Sequence, residues 1–149
     1  MDVPSDFREW LECLNAHGVE YLVVGAYALA FHGAPRATGD IDIYLHPTPD
    51  NARRLLAALT DFGFASLGLR PEEFEAPDQV LQLGVPPVRV DVMTSVSGVS
   101  WQEAWQGRCP GSIAGVQVSF LSRQHYVINK RASGRLKDLA DIEALGEKP

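Results

Sequence analysis

The hydrophobic and polar positions change period several times along the chain, and each change marks an element. Residues 5–18, SDFREWLECLNAHG, put Phe7, Trp10, Leu11 and Leu14 on one helical stripe, with Ser5 as a cap and Gly18 as a stop. EYLVVG is short and nearly all apolar, the pattern of a strand covered on both faces. AYALAFHG then reads as a short helix opening directly after Gly25. DIDIYLH alternates, so Ile41, Ile43 and Leu45 share the core face and Asp40, Asp42 and Tyr44 the other. TPDNARRLLAALTDFG predicts a helix with Thr48 as its cap and Pro49 in its first turn.

The next stretch, FASLGLRPEEFEAPD, shows no period. QVLQLGV and VRVDVMTSV predict a strand–turn–strand pair across Gly84, Pro86 and Pro87. SWQEAWQG predicts a short helix, GVQVSFLS a last strand, and SRQHYVINKRASGRLKDLADIEALG two helices hinged near Ser133 and Gly134. Strands and helices interleave, which predicts an α/β (α+β) class with a mixed sheet flanked by helices. One domain over residues 1–149 is expected, with C-terminal helices at about 122–145.

Charge narrows the function. A formal net charge of -6 excludes coating duplex nucleic acid by charge alone, which needs many phosphate-neutralising cations. Cys13 and Cys109 form no C-x-x-C pair, so neither a disulfide framework nor a zinc site is expected. The N-terminus, MDVPSDFREW, is charged, and no apolar run approaches the ~20 residues of a membrane span, so no membrane partner and a cytoplasmic location are expected. No Walker-type loop, G-x-G-x-x-G or G-x-S-x-G occurs, which argues against P-loop, Rossmann and serine-hydrolase chemistry.

Three features carry the candidate chemistry. Asp40 and Asp42 are adjacent carboxylates on one strand face, and they repel by roughly 4 kcal/mol near a protein surface unless a cation lies between them. Alone, such a pair is a solvated strand end. Gly25 and Ala26 form a strand-to-helix corner whose free N–H groups suit an anion, or merely a tight turn. Asp91 interrupts the apolar run VRVDVMT, where a lone buried carboxylate needs a partner. Either Arg89 on the same face supplies that partner, or Asp91 joins Asp40 and Asp42 as a third acid. Together the three point to an oxygen-ligand site suited to Mg2+.

Gly25-Ala26, Asp40-Ile41-Asp42 and Asp91, in this order, resemble the signature of the DNA polymerase beta-like nucleotidyltransferase superfamily. The wording VVGAYALAFHGAPRATGDIDIYL and the tail VINKRASGRLKDLADIEAL look most like small AbiEii-type members. Ala26 departs from the usual Ser or Gly and forgoes a hydroxyl while keeping the backbone donor. The Gly111-Ser112 pair is expected to be a loop, because no Asp-x-Asp follows it.

The resemblance implies transfer of a nucleoside monophosphate from an NTP to RNA, a protein or a small molecule, in a toxin–antitoxin setting with an antitoxin partner. Asp40, Asp42 and Asp91 would be the catalytic acids holding two Mg2+ ions, and Asp91 would help to deprotonate the acceptor. The N–H groups of Gly25 and Ala26 would hold the triphosphate. Lys130, Arg131 and Lys137 would contact phosphate or acceptor, or form a solvated basic face. Arg36 and Thr38 would contact phosphate, with an Arg36 salt bridge to a site acid as the alternative. Asp138 and Asp141 are expected to be solvated or paired with Arg135 and Lys137. Trp101 and Trp105 are expected in packing, and His32 in a local cap or packing role. The alternative to an enzyme is a non-catalytic nucleotide-binding or antitoxin-like module on the same scaffold.

Overall fold

A computed structural model describes residues 2–149. Its six strands form one mixed sheet in the order β3-β4-β2-β1-β6-β5, flanked by helices as the interleaved pattern predicts. In chain order the elements are α1 (Ser5–Ala16), β1 (Tyr21–Val24), α2 (Gly25–Phe31), β2 (Asp40–Leu45), α3 (Pro49–Phe62), β3 (Val80–Val85), β4 (Val88–Met93), α4 (Trp101–Gln106), β5 (Cys109–Ile113), β6 (Val116–Phe120), α5 (Arg123–Ser133) and α6 (Leu136–Ala144). β1, the nearly all-apolar strand, is buried along its whole length between β2 and β6.

The alternation of β2 is realised as written. Ile41, Ile43 and Leu45 are fully buried in the core, together with Phe7, Trp10, Leu11 and Leu14 of α1 and Leu55 and Leu59 of α3. Trp10 packs against Phe62 of α3 with ring centroids 5.3 Å apart. The acid-bearing face of β2 continues to Tyr44 and His46, where α4 covers it. Trp101 meets Tyr44 edge-on and stacks on both His46 and Trp105. The tryptophans are packing residues, as the sequence leads one to expect, and Arg108 caps the stack 3.9 Å from the Trp105 ring.

Of the two side-chain N-caps expected from the sequence, that of Thr48 forms and that of Ser5 does not. The Thr48 side chain accepts from the Asn51 N–H at 3.3 Å, and Pro49 opens α3. A Thr48→Ala variant is expected to lose about 1 kcal/mol of stability in urea unfolding, the usual cost of a lost N-cap. In α1, Ser5 is already helical and Pro4 occupies the cap position with no side-chain cap bond. Proline's fixed φ starts the helix without a hydroxyl.

One other expectation is corrected, and one unread stretch is filled in. Gly111-Ser112 lies on an edge strand, β5, paired antiparallel with β6, rather than in a loop. The aperiodic stretch after α3 contains two 3-10 turns, Ala65–Leu67 and Pro71–Phe74, anchored by buried Phe74.

Candidate active site

Strand pairing builds the site. β2 runs parallel to β4 with Asp42 opposite Asp91 and Asp40 opposite Arg89. β1 runs antiparallel to β2 with Val24 opposite Asp42, so the corner at Gly25 falls directly beside that carboxylate. Asp40, Asp42 and Asp91 therefore converge, and each offers an oxygen within 4.8 Å of the others. The two readings of Asp91 left open by its sequence hold together: it joins the acids and it pairs with Arg89.

Gly25 sits at φ +66°, in the left-handed region. A Cβ there would overlap Asp42 Oδ2 and lie 3.0 Å from Asp42 Cγ. Two requirements thus meet at one position, a left-handed backbone and room for the Asp42 carboxylate.

The three acids differ in their surroundings. Asp91 is only 6% exposed, and Arg89 Nε and Nη2 donate to its two oxygens at 3.0 and 3.1 Å. Arg89 Nη2 also donates to Asp40 Oδ2 at 3.1 Å, and the Thr38 hydroxyl donates to Asp40 Oδ1 at 2.9 Å. Burial favours the neutral form of Asp40, but the Thr38 and Asp42 hydrogen bonds and the Arg89 charge outweigh it and hold its pKa below the usual value. Asp42 has no such help. Burial first, then the neighbouring Asp40 and Asp91, push its pKa up to about 8. Its Oδ1 is buried without a hydrogen-bond partner. That orphaned oxygen is the unmet demand of the site.

A cleft of about 270 Å³ opens over Asp40 and Asp42, with Asp91 behind them rather than in its lining. Its lining includes Gly25, Ala26, Asp40 and Asp42 from the strand ends, Ser95 and Ser97 after β4, and Arg36, Lys130, Arg135 and Lys137. Of the residues expected to contact nucleotide, Gly25, Ala26, Arg36, Lys130 and Lys137 all line it. Thr38 is bound to Asp40 at the strand entrance, and Arg131 is turned away to donate to the Lys148 carbonyl. His32 is the C-cap residue of α2, and its ring packs across to the Leu121 carbonyl at 2.7 Å.

Cations are fixed by acids from α6. Asp138, with no exposed surface, accepts from Arg135 Nε at 2.8 Å and lies 3.4 Å from Lys130 Nζ. Burial works against the charged form of Asp138, yet Arg135 and Lys130 lower its pKa. Asp141 pairs with Arg36 at 3.3 Å. The expected pairing of Asp138 with Arg135 holds, whereas its second partner is Lys130 rather than Lys137, Asp138 and Asp141 are buried, and Arg36 bridges to Asp141 rather than to a site acid. Arg135, Asn129 and Ser133 also line the cleft without having been singled out as ligands. Their spacing along α5 and into α6 was the available signal.

The profile of a family described as nucleotidyltransferases of unknown function (DUF6036) matches residues 5–146. The chain belongs to this family. The fold of this DUF6036 member is similar to the crystal structure of a candidate nucleotidyltransferase from Thermotoga maritima, with a TM-score of 0.60 at 18% identity, over 94% of this chain and 88% of the other. No curated protein sequence matches it. Among the described residues of this DUF6036 member, no helix is long and apolar enough to cross a membrane.

Proposed function

We propose that the chain transfers a nucleoside monophosphate from an NTP to an acceptor hydroxyl, with Mg2+ held by Asp40, Asp42 and Asp91. The observation that carries this reading is the buried, unpartnered Oδ1 of Asp42 among three converging carboxylates. An all-oxygen donor set with one unmet acceptor fits a hard divalent cation. Such an ion, when bound, neutralises charge developing on phosphoryl oxygens.

The chain's own residues do the rest. Lys130, Arg135, Arg36 and Lys137 line the cleft above the acids and supply the positive wall for a triphosphate. Asp138 and Asp141 hold three of these side chains in place, so the wall is preorganised before substrate arrives. The backbone of Gly25 and Ala26 lines the cleft, and the missing Cβ of Gly25 makes room for the Asp42 carboxylate there. Asp91, whose two oxygens accept from Arg89, is the group that would take a proton from the acceptor hydroxyl.

The sequence resemblance to AbiEii-type proteins supports a toxin-like role, acting on RNA or a protein and silenced by an antitoxin. The test uses ATP, CTP, GTP and UTP labelled at the α-phosphate, with Mg2+ and total RNA or protein as acceptor. Label is expected to move to one acceptor class from a preferred nucleotide and to stop when EDTA is added. Nucleotide binding with no transfer to any acceptor would overturn the enzyme reading and leave the non-catalytic module.

A further inference from the structure

Arg89 reaches two of the three carboxylates at once. Its fork donates to both oxygens of Asp91, and Nη2 also donates to Asp40 Oδ2. The arrangement follows from the parallel register, which sets Arg89 opposite Asp40 and two residues before Asp91 on the same face. Asp42 receives nothing from it. One cation thus serves two of the three acids, and Asp42 is left unmet.

A carboxylate has lone pairs enough for a guanidinium and a metal together. The charges resist that arrangement, because a single positive charge and a double one would be separated by little more than one carboxylate. The protein offers Arg89 a way out. Its side chain is 31% exposed, whereas that of Asp91 is 8% exposed and fixed in the sheet. The arginine can leave; the acid cannot follow.

We propose that Arg89 is a resident counter-cation that competes with the divalent ion for Asp91 and Asp40, so that loading the site requires its guanidinium to let go. The proposal rests on the metal-site reading above. Without metal, Arg89 offsets part of the charge on two carboxylates and keeps the triad assembled. With metal, it releases both oxygens of Asp91, which leaves them to the ion.

Mn2+ binding to the full-length chain, followed by calorimetry and electron paramagnetic resonance, tests this. Arg89→Met is expected to bind Mn2+ about tenfold more tightly or better than wild type, since a positive charge has been removed beside a dication. Arg89→Lys, which keeps the charge but loses the fork, is expected to fall between them. In 15N-arginine-labelled wild type, the Arg89 Nε–H is expected to lose its protection from exchange as Mg2+ is added. Equal or weaker Mn2+ binding in Arg89→Met would overturn the competition and make Arg89 a positioning residue, with the metal site itself intact. An Nε–H that stays protected at saturating Mg2+ would do the same, and decides the matter if Arg89→Met fails to fold. No Mn2+ binding by folded wild type or either variant would overturn the metal site and the competition together.

Discussion

Asp42→Asn is expected to remove nucleotidyl transfer while making the metal-free protein more stable at pH 8. Transfer should fall on the order of a thousandfold or more, because a neutral amide cannot replace a carboxylate that holds a catalytic cation. Stability should rise by about 1–2 kcal/mol, since the variant no longer buries a charge beside two like charges.

The pH dependence fixes the sign. The folded-state pKa of Asp42 is raised from 3.8 to about 8. The folded protein therefore keeps a proton that the unfolded chain has already lost. That stabilising contribution is full below pH 3.8 and is lost as pH rises through about 8. Wild type should lose stability across this window, and Asp42→Asn should lose less. Scanning calorimetry in EDTA at pH 5 and pH 8 reads both slopes, with an upward shift in midpoint of roughly 2–5 °C for the variant at pH 8. Added Mg2+ should then stabilise wild type and leave Asp42→Asn unchanged. A variant that is less stable at pH 8, or that still transfers, would refute the assignment of Asp42.

Gly25→Ala carries the second large effect. The backbone at φ +66° and the Asp42 carboxylate both forbid a side chain there. A methyl group must either unwind the corner or drive Asp42 out of the triad, and strain of this kind costs about 1–3 kcal/mol. Transfer is expected to drop at least about a hundredfold as the acids lose register with the cleft floor. Mn2+ affinity should fall with it, which separates displacement of Asp42 from a simple loss of phosphate contact. Wild-type metal affinity and activity in Gly25→Ala would show that the corner tolerates a side chain.

The site was legible because its signals are local. Alternation in DIDIYL places two acids on one face whatever the rest of the chain does, and the structure keeps Ile41 and Ile43 in the core. Pairing of Asp42 with Asp91 is a register between distant strands, which one strand's pattern only suggests. The i, i+3 spacing of Asp138 and Asp141 puts them on one helix face without saying whether that face meets water or the hinge between α5 and α6. Tertiary packing buried it, and the cations of the cleft became its partners. β5 was missed because Pro110 and Gly111 contradict strand propensity, and only the ladder to β6 holds them extended at the sheet edge. The segment before β3 gave nothing because short 3-10 turns leave no periodic trace.

The register of β2 also governs how this lineage can drift. Because one alternation aims Asp40 and Asp42 at the cleft and Ile41 and Ile43 at the interior, a single-residue deletion would swap the two sets and wreck folding along with chemistry. Exchange of one acid for an amide leaves the hydrocarbon side untouched. Descendants freed from selection for transfer would therefore shed the acids by point change and keep the scaffold, so inert relatives should still look structurally intact.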